Sequence, residues 1–178
     1  MFLEKFDEFL TPKRTKYLLL FSIILFLVIY PLMGYAFLLS ENPGDVMSSQ
    51  LSFSAEYMRA YYKGIGNLEY YRLGETLDYG FMISYGSLIV ALALILARKF
   101  EESSKMRQSG YFIAILGIAA AGLDAVENMF ILLMLTDPSG FLAMWALANS
   151  TFALIKWILL FIAIGWALVA VILKILKK

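Results

Sequence analysis

The chain of 178 residues contains neither cysteine nor histidine. Without cysteine there is no disulfide, no thiol nucleophile and no CxxC zinc site. Without histidine, the Ser-His-Asp and Cys-His arrangements of nucleophilic catalysis fall away, as does ligation of haem through imidazole. Charge is scarce as well: 16% of the residues are charged, against about 25% in soluble domains. The 15 basic and 14 acidic side chains leave a net charge of +1, which argues against nucleic-acid binding. Proton chemistry is left to Asp, Glu, Lys and Tyr. A metal would have to be a hard cation on oxygen ligands, and no metal or cofactor motif is evident.

What the chain has is apolar length. Hydrophobic residues make up 61% of it, and the mean hydropathy is +0.76. Runs at 17–40, 75–100, 111–135 and 141–173 each reach the roughly 20 residues that cross a bilayer. The expectation is an all-α polytopic membrane protein: one domain over 1–178, built as a four-transmembrane-helix bundle. The first run far exceeds the apolar segment of a signal peptide, about 7–15 residues, and is expected to remain as a span.

The flanking segments have their own signals. Phe2, Leu3, Phe6, Phe9 and Leu10 share one helical face, apart from Glu4, Lys5, Asp7 and Glu8. That pattern predicts a short N-terminal amphipathic helix on the membrane surface. Thr11-Pro12 reads as N-cap and first residue of the next helix. Pro31 predicts a kink in span one, eased by Gly34. The long loop 41–74 holds a turn at Asn42-Pro43-Gly44-Asp45 and a helical stretch from Ser54 to Lys63, ended by Gly64. Tyr61, Tyr62, Tyr70, Tyr71 and Tyr79 add rings suited to the membrane interface. The loop is expected to fold back as an outer-side interfacial helix, or else to form a plain aromatic belt. Asp137-Pro138-Ser139-Gly140 is a tight turn, so spans three and four are antiparallel neighbours. Span four exceeds one crossing and should tilt or project.

Eleven basic residues gather on one side: Lys5, Lys13, Arg14, Lys16, Arg98, Lys99, Lys105, Arg107, Lys174, Lys177 and Lys178. The other side has Arg59, Lys63 and Arg72. The positive-inside rule then predicts a multi-pass protein of the cell membrane with both termini cytoplasmic.

The remaining lysine, Lys156, sits in the middle of span four, and Asp124, Glu127 and Asn128 sit in the middle of span three. Ionisable groups at that depth cost about 2.5–3.5 kcal/mol each on insertion scales, so they face a partner or a polar cavity. Gly117, Ala121, Asp124 and Asn128 form one helical stripe, with Glu127 adjoining it. Small residues in the stripe allow another helix to come close. On span four, Asn149 and Lys156 share a face. A rise of about 1.5 Å per residue puts Asp124 about 18 Å and Lys156 about 21 Å from the outer turn. Side chains lean toward each helix's N-terminus, so the two heads can meet. Asp78 is expected in the first turn of span two, near the outer surface, with Tyr85 two turns deeper. Together these residues predict a polar column open to the outer side, with the Asp124–Lys156 pair at its floor. A structural network that merely fixes helix register is the plainer alternative.

Leu123-Asp124-Ala125-Val126-Glu127-Asn128 resembles the Leu-Asp-x-x-Glu-Asn signature of uncharacterised prokaryotic four-span membrane proteins. Leu77-Asp78 and Lys156-Trp157 are similar to features of the same proteins. The resemblance implies a four-helix membrane fold and no particular activity. The Asp-x-x-Glu spacing is also similar to metal-binding motifs of lipid-processing transferases, but those have more spans and further acidic motifs.

Three functions follow from the residues. The first is binding of a proton, cation or small polar solute at Asp124, Glu127, Asn128, Lys156, Asn149, Asp78 and Tyr85 for transport, with a homo-oligomer forming the path. The second is an intramembrane enzyme acting on a lipid or other amphiphile by carboxylate acid/base chemistry. The third is a structural or assembly subunit. The lipid bilayer is the partner common to all three.

Overall fold

The computed structural model describes residues 2–176, with side chains from residue 6 onward. The Phe2, Leu3, Glu4 and Lys5 side chains and the pair Lys177 and Lys178 lie outside the described residues. The chain forms helices α1 (Phe2–Phe9), α2 (Pro12–Leu39), α3 (Val46–Gln50), α4 (Ala55–Lys63), α5 (Leu68–Ala97), α6 (Lys105–Met134) and α7 (Ala143–Leu176). Four of them, α2, α5, α6 and α7, are long and apolar enough to cross a membrane. Among the described residues there is no strand, and the fold is the expected all-α bundle.

The boundaries follow local chemistry. Thr11 caps α2 by accepting from the Arg14 amide, and Pro12 opens the helix, where a missing N–H costs nothing. The helix runs on through Pro31. Asp45 caps the short α3 by accepting from the Met47 and Ser48 amides. Ser54 caps α4 and Gly64 ends it, as the sequence predicts.

Span two departs from expectation. Asn67 accepts from the Glu69 and Tyr70 amides and starts α5 at Leu68, so residues 68–74 are helix rather than loop. Asp78 is therefore not in a first turn; it stands about three turns inside the helix. The reason is that the mixed segment Leu68–Gly74 is helical while lying under the loop, where an apolar run no longer marks it.

In the bundle, α2 packs on α5, α5 on α6 and α6 on α7, with a lighter contact between α5 and α7. The α5–α6 seam depends on glycine. A Cβ on Gly86 would stand 2.8 Å from Ala121 Cβ, and one on Gly117 would stand 2.6 Å from Ile89 Cγ2. The small-residue stripe of α6 thus serves its approach to α5.

Each end of the bundle is tied down. At the end carrying α3 and α4, called the loop end below, Met58, Tyr62 and Tyr71 are buried with Met134, Leu135 and Phe141. Arg59 of α4 donates to the Phe141 carbonyl at 2.8 Å and lies over that ring. The loop is a cap and more than an aromatic belt, because its tyrosines divide. Tyr61, Tyr62 and Tyr71 enter the core, while Tyr57 and Tyr70 stay exposed. At the other end, Arg98 clasps α1 to the bundle through Asp7 Oδ1, at 2.9 and 2.6 Å, and reaches Thr15 Oγ1 at 2.7 Å.

Candidate functional site

Antiparallel packing of α6 on α7 brings Lys156 to its acids. The Lys156 ammonium lies 2.8 Å from Asp124 Oδ1 and 2.6 Å from Glu127 Oε2. Asp124 and Lys156 are 4% and 3% exposed, and Glu127 is fully buried. Burial of these charges is tolerable because each has an opposite charge in contact. From α5, the Tyr85 hydroxyl donates to Asp124 Oδ2 at 2.8 Å. Both oxygens of Asp124 are thus held, one by a cation and one by a phenol.

A second arm runs toward the loop end. Asn128 Nδ2 donates to Asp78 Oδ2 at 2.8 Å and to the Glu75 carbonyl at 3.3 Å. Asn149 is fully buried on α7, as the spacing predicts, but neither of its side-chain polar atoms has a hydrogen-bond partner. Glu127 Oε1, Asn128 Oδ1 and the Tyr62 hydroxyl are likewise buried and unpaired. Such groups are rare in folded proteins. Here they gather on the helices that form the polar cluster and on the cap over it.

Six of the seven expected residues are therefore bonded in two groups, Tyr85, Asp124, Lys156 and Glu127 in one and Asp78 with Asn128 in the other, and Asn149 lies buried without a partner. Glu75 is the residue the sequence reading passed over. It is 3% exposed and precedes Asp78 by three positions, the same spacing as Asp124 and Glu127. That repeated pair of acids was the available signal. Placing the start of span two at Glu75 hid it.

The column is not open where the sequence reading puts its mouth. α4 packs against α7 at the loop end. The Phe53 amide donates to Ser150 Oγ at 3.0 Å, and Glu127, Asn128 and Asn149 have no exposure. The opening is instead along the flank of the bundle. A cavity of about 570 Å³ there reaches Glu75, Asp78, Tyr85, Asp124 and Lys156 at its polar end. Its walls are apolar: Met33 of α2, Leu88 and Leu92 of α5, and Leu160 and Ile164 of α7. Several wall residues, including Leu92 and Ile164, are also surface-exposed on the long helices, so the cavity opens on their apolar outer face. Gln50 of α3 closes one edge by accepting from Trp157 Nε1 at 3.1 Å.

Among the described residues no three carboxylates converge as a metal ion would need. The acids are instead strung along the cavity and the seam behind it. In comparisons with known proteins, no family model, no curated protein and no solved structure matches this chain, so what the site does has to be argued from its geometry.

Proposed function

We propose that the protein binds a membrane-soluble amphiphile in the flank cavity. The polar head would lie against Asp78, Asp124 and Lys156, and the apolar part against Leu88, Leu92, Leu160 and Ile164. The observation that carries this reading is the two-sided character of one cavity, acidic at one end, hydrocarbon along the rest and open toward lipid. Its volume of about 570 Å³ lies within the roughly 300–1,000 Å³ of small-molecule sites. The protein would work in the cell membrane with its termini cytoplasmic and its loop end outside, as its basic residues suggest. If the bound molecule is also transformed, Asp78 is the better acid/base. Asp124 is held at both oxygens, whereas Asp78 has one oxygen engaged by Asn128.

A photoactivatable long-chain alcohol tests the reading in nanodiscs. Labelling is expected to concentrate on cavity residues such as Phe81, Leu88 and Trp157, to saturate, and to fall at least fivefold in Leu88→Trp, which fills the cavity. Labels spread evenly over the lipid-facing side of α2, unchanged by Leu88→Trp, would refute it.

Transport of a proton, cation or small polar solute is the second reading. It draws on Glu127, whose Oε2 meets Lys156 while its buried Oε1 has no partner. Flux into proteoliposomes that drops in Glu127→Gln is the expected result; equal flux in the two proteins counts against it.

A further inference from the structure

The flank cavity holds more acidic than basic side chains and is lined in part by aromatic rings. Four carboxylates, Glu75, Asp78, Asp124 and Glu127, belong to the cluster, and one ammonium, Lys156, faces them. Both ion pairs of that ammonium go to α6, to Asp124 and Glu127. On α5, Glu75 and Asp78 both line the cavity, and among the described residues neither is in an ion pair. Glu75 is 3% exposed, so water screens it little. Phe37, Phe81, Tyr85, Trp157 and Phe161 also line the cavity. The faces of such rings attract a cation placed within about 6 Å, and the Lys156 ammonium already lies 5.4 Å from the Trp157 ring.

We infer that the head of the amphiphile is a single cationic group, an alkylammonium or a comparable lipophilic cation, seated between the α5 carboxylates Glu75 and Asp78 and the aromatic rings. The inference rests on the amphiphile-binding reading above and specifies its ligand class. Several features favour an organic cation over a bare metal ion. The carboxylates do not converge on one point. The rings offer π-faces rather than lone pairs. The apolar walls would hold a hydrocarbon chain, which a bare metal ion lacks. An anionic head would meet Glu75 and Asp78, while Lys156, the one cation that lines the cavity among the described residues, is already engaged. A neutral head would find hydrogen-bond partners but would leave the α5 acids without a counter-ion.

Three amphiphiles of one chain length separate the possibilities: hexadecyltrimethylammonium, hexadecanol and hexadecyl sulfate. Each competes with the photoactivatable alcohol for the wild-type protein in nanodiscs of zwitterionic lipid, compared at equal mole fraction in the bilayer. The ammonium compound is expected to displace the label at a concentration at least tenfold lower than hexadecanol, and the sulfate to be weaker than either. In Glu75→Gln with Asp78→Asn, the advantage of the ammonium over hexadecanol should shrink to twofold or less. Equal competition by all three on the wild-type protein overturns the inference and leaves amphiphile binding standing. No saturable labelling and no displacement by any of them overturns the underlying reading as well. Because the wild-type ratio decides by itself, a double variant that fails to fold does not rescue the inference.

Discussion

Lys156→Met destabilises the bundle by about 3–5 kcal/mol, the loss seen when one partner of a buried ion pair is removed. The variant keeps a side chain of similar length, so packing changes little. What changes is that Asp124 and Glu127, 4% and 0% exposed, lose the cation 2.8 and 2.6 Å from them. The companion experiment is Lys156→Met with Asp124→Asn and Glu127→Gln. It removes all three charges while preserving shape, and buried ion pairs replaced by well-packed neutral groups are often close to neutral. The triple variant should recover most of the loss. Unfolding of the three proteins in one detergent, followed by circular dichroism, measures both numbers. A loss under about 1 kcal/mol for Lys156→Met would give the ammonium the weight of a surface ion pair. It would then have no claim to hold the helices together.

The second large effect is at the α5–α6 seam. Gly86→Ala puts a methyl 2.8 Å from Ala121 Cβ and 3.5 Å from the Gly117 carbonyl oxygen. A Cβ is fixed to its backbone and cannot swing away, so the helices themselves must separate. Overpacking of this kind costs about 1–3 kcal/mol. It should also loosen the Tyr85–Asp124 contact, one residue and one turn away, which spans the same two helices. Gly86→Ala with Ala121→Gly moves the methyl across the seam and relieves the clash. The glycine lost from α5 and the one gained in α6 offset each other in helix propensity, so the double variant should recover most of the loss. If Gly86→Ala unfolds with the wild-type midpoint, the seam is not held by close backbone approach.

The two experiments separate two origins of order in one bundle. The pair at Lys156 couples α6 to α7 by charge. The glycines couple α5 to α6 by shape. Without water to drive apolar faces together, helices in lipid depend on such contacts. The cavity lies on the flank between α2 and α7, beside α5, and the Asp124–Lys156 pair lines its polar end.

Much of this was legible in the residues. Thr11-Pro12, Ser54 and Gly64 marked helix ends because capping is a local interaction. Lys156 and Asp124 were legible as a pair, since rise per residue fixes depth along two antiparallel helices joined by a tight turn. The start of α5 was not legible. Residues 68–74 include Glu69, Tyr70 and Arg72, polar and aromatic groups that resemble a loop until α4 and Arg59 are seen packed over that end. Glu75 was missed for the same reason, and Asp78 was assigned to a first turn when it lies about three turns inside the helix.

From its composition and periodicity the chain dictates four membrane-length helices, their order, and the depth at which charge must be buried. These depend only on the length of apolar runs and the pitch of the helix, which are properties of neighbours in sequence. Which way the polar cluster opens was decided by the tertiary structure. It placed α3 and α4 over the loop end, left the flank between α2 and α7 apart, and turned Glu75 and Asp78 of α5 into the cavity beside the rings. Those outcomes depend on how non-neighbouring helices pack and on which gap no side chain is large enough to fill, and no local pattern encodes that.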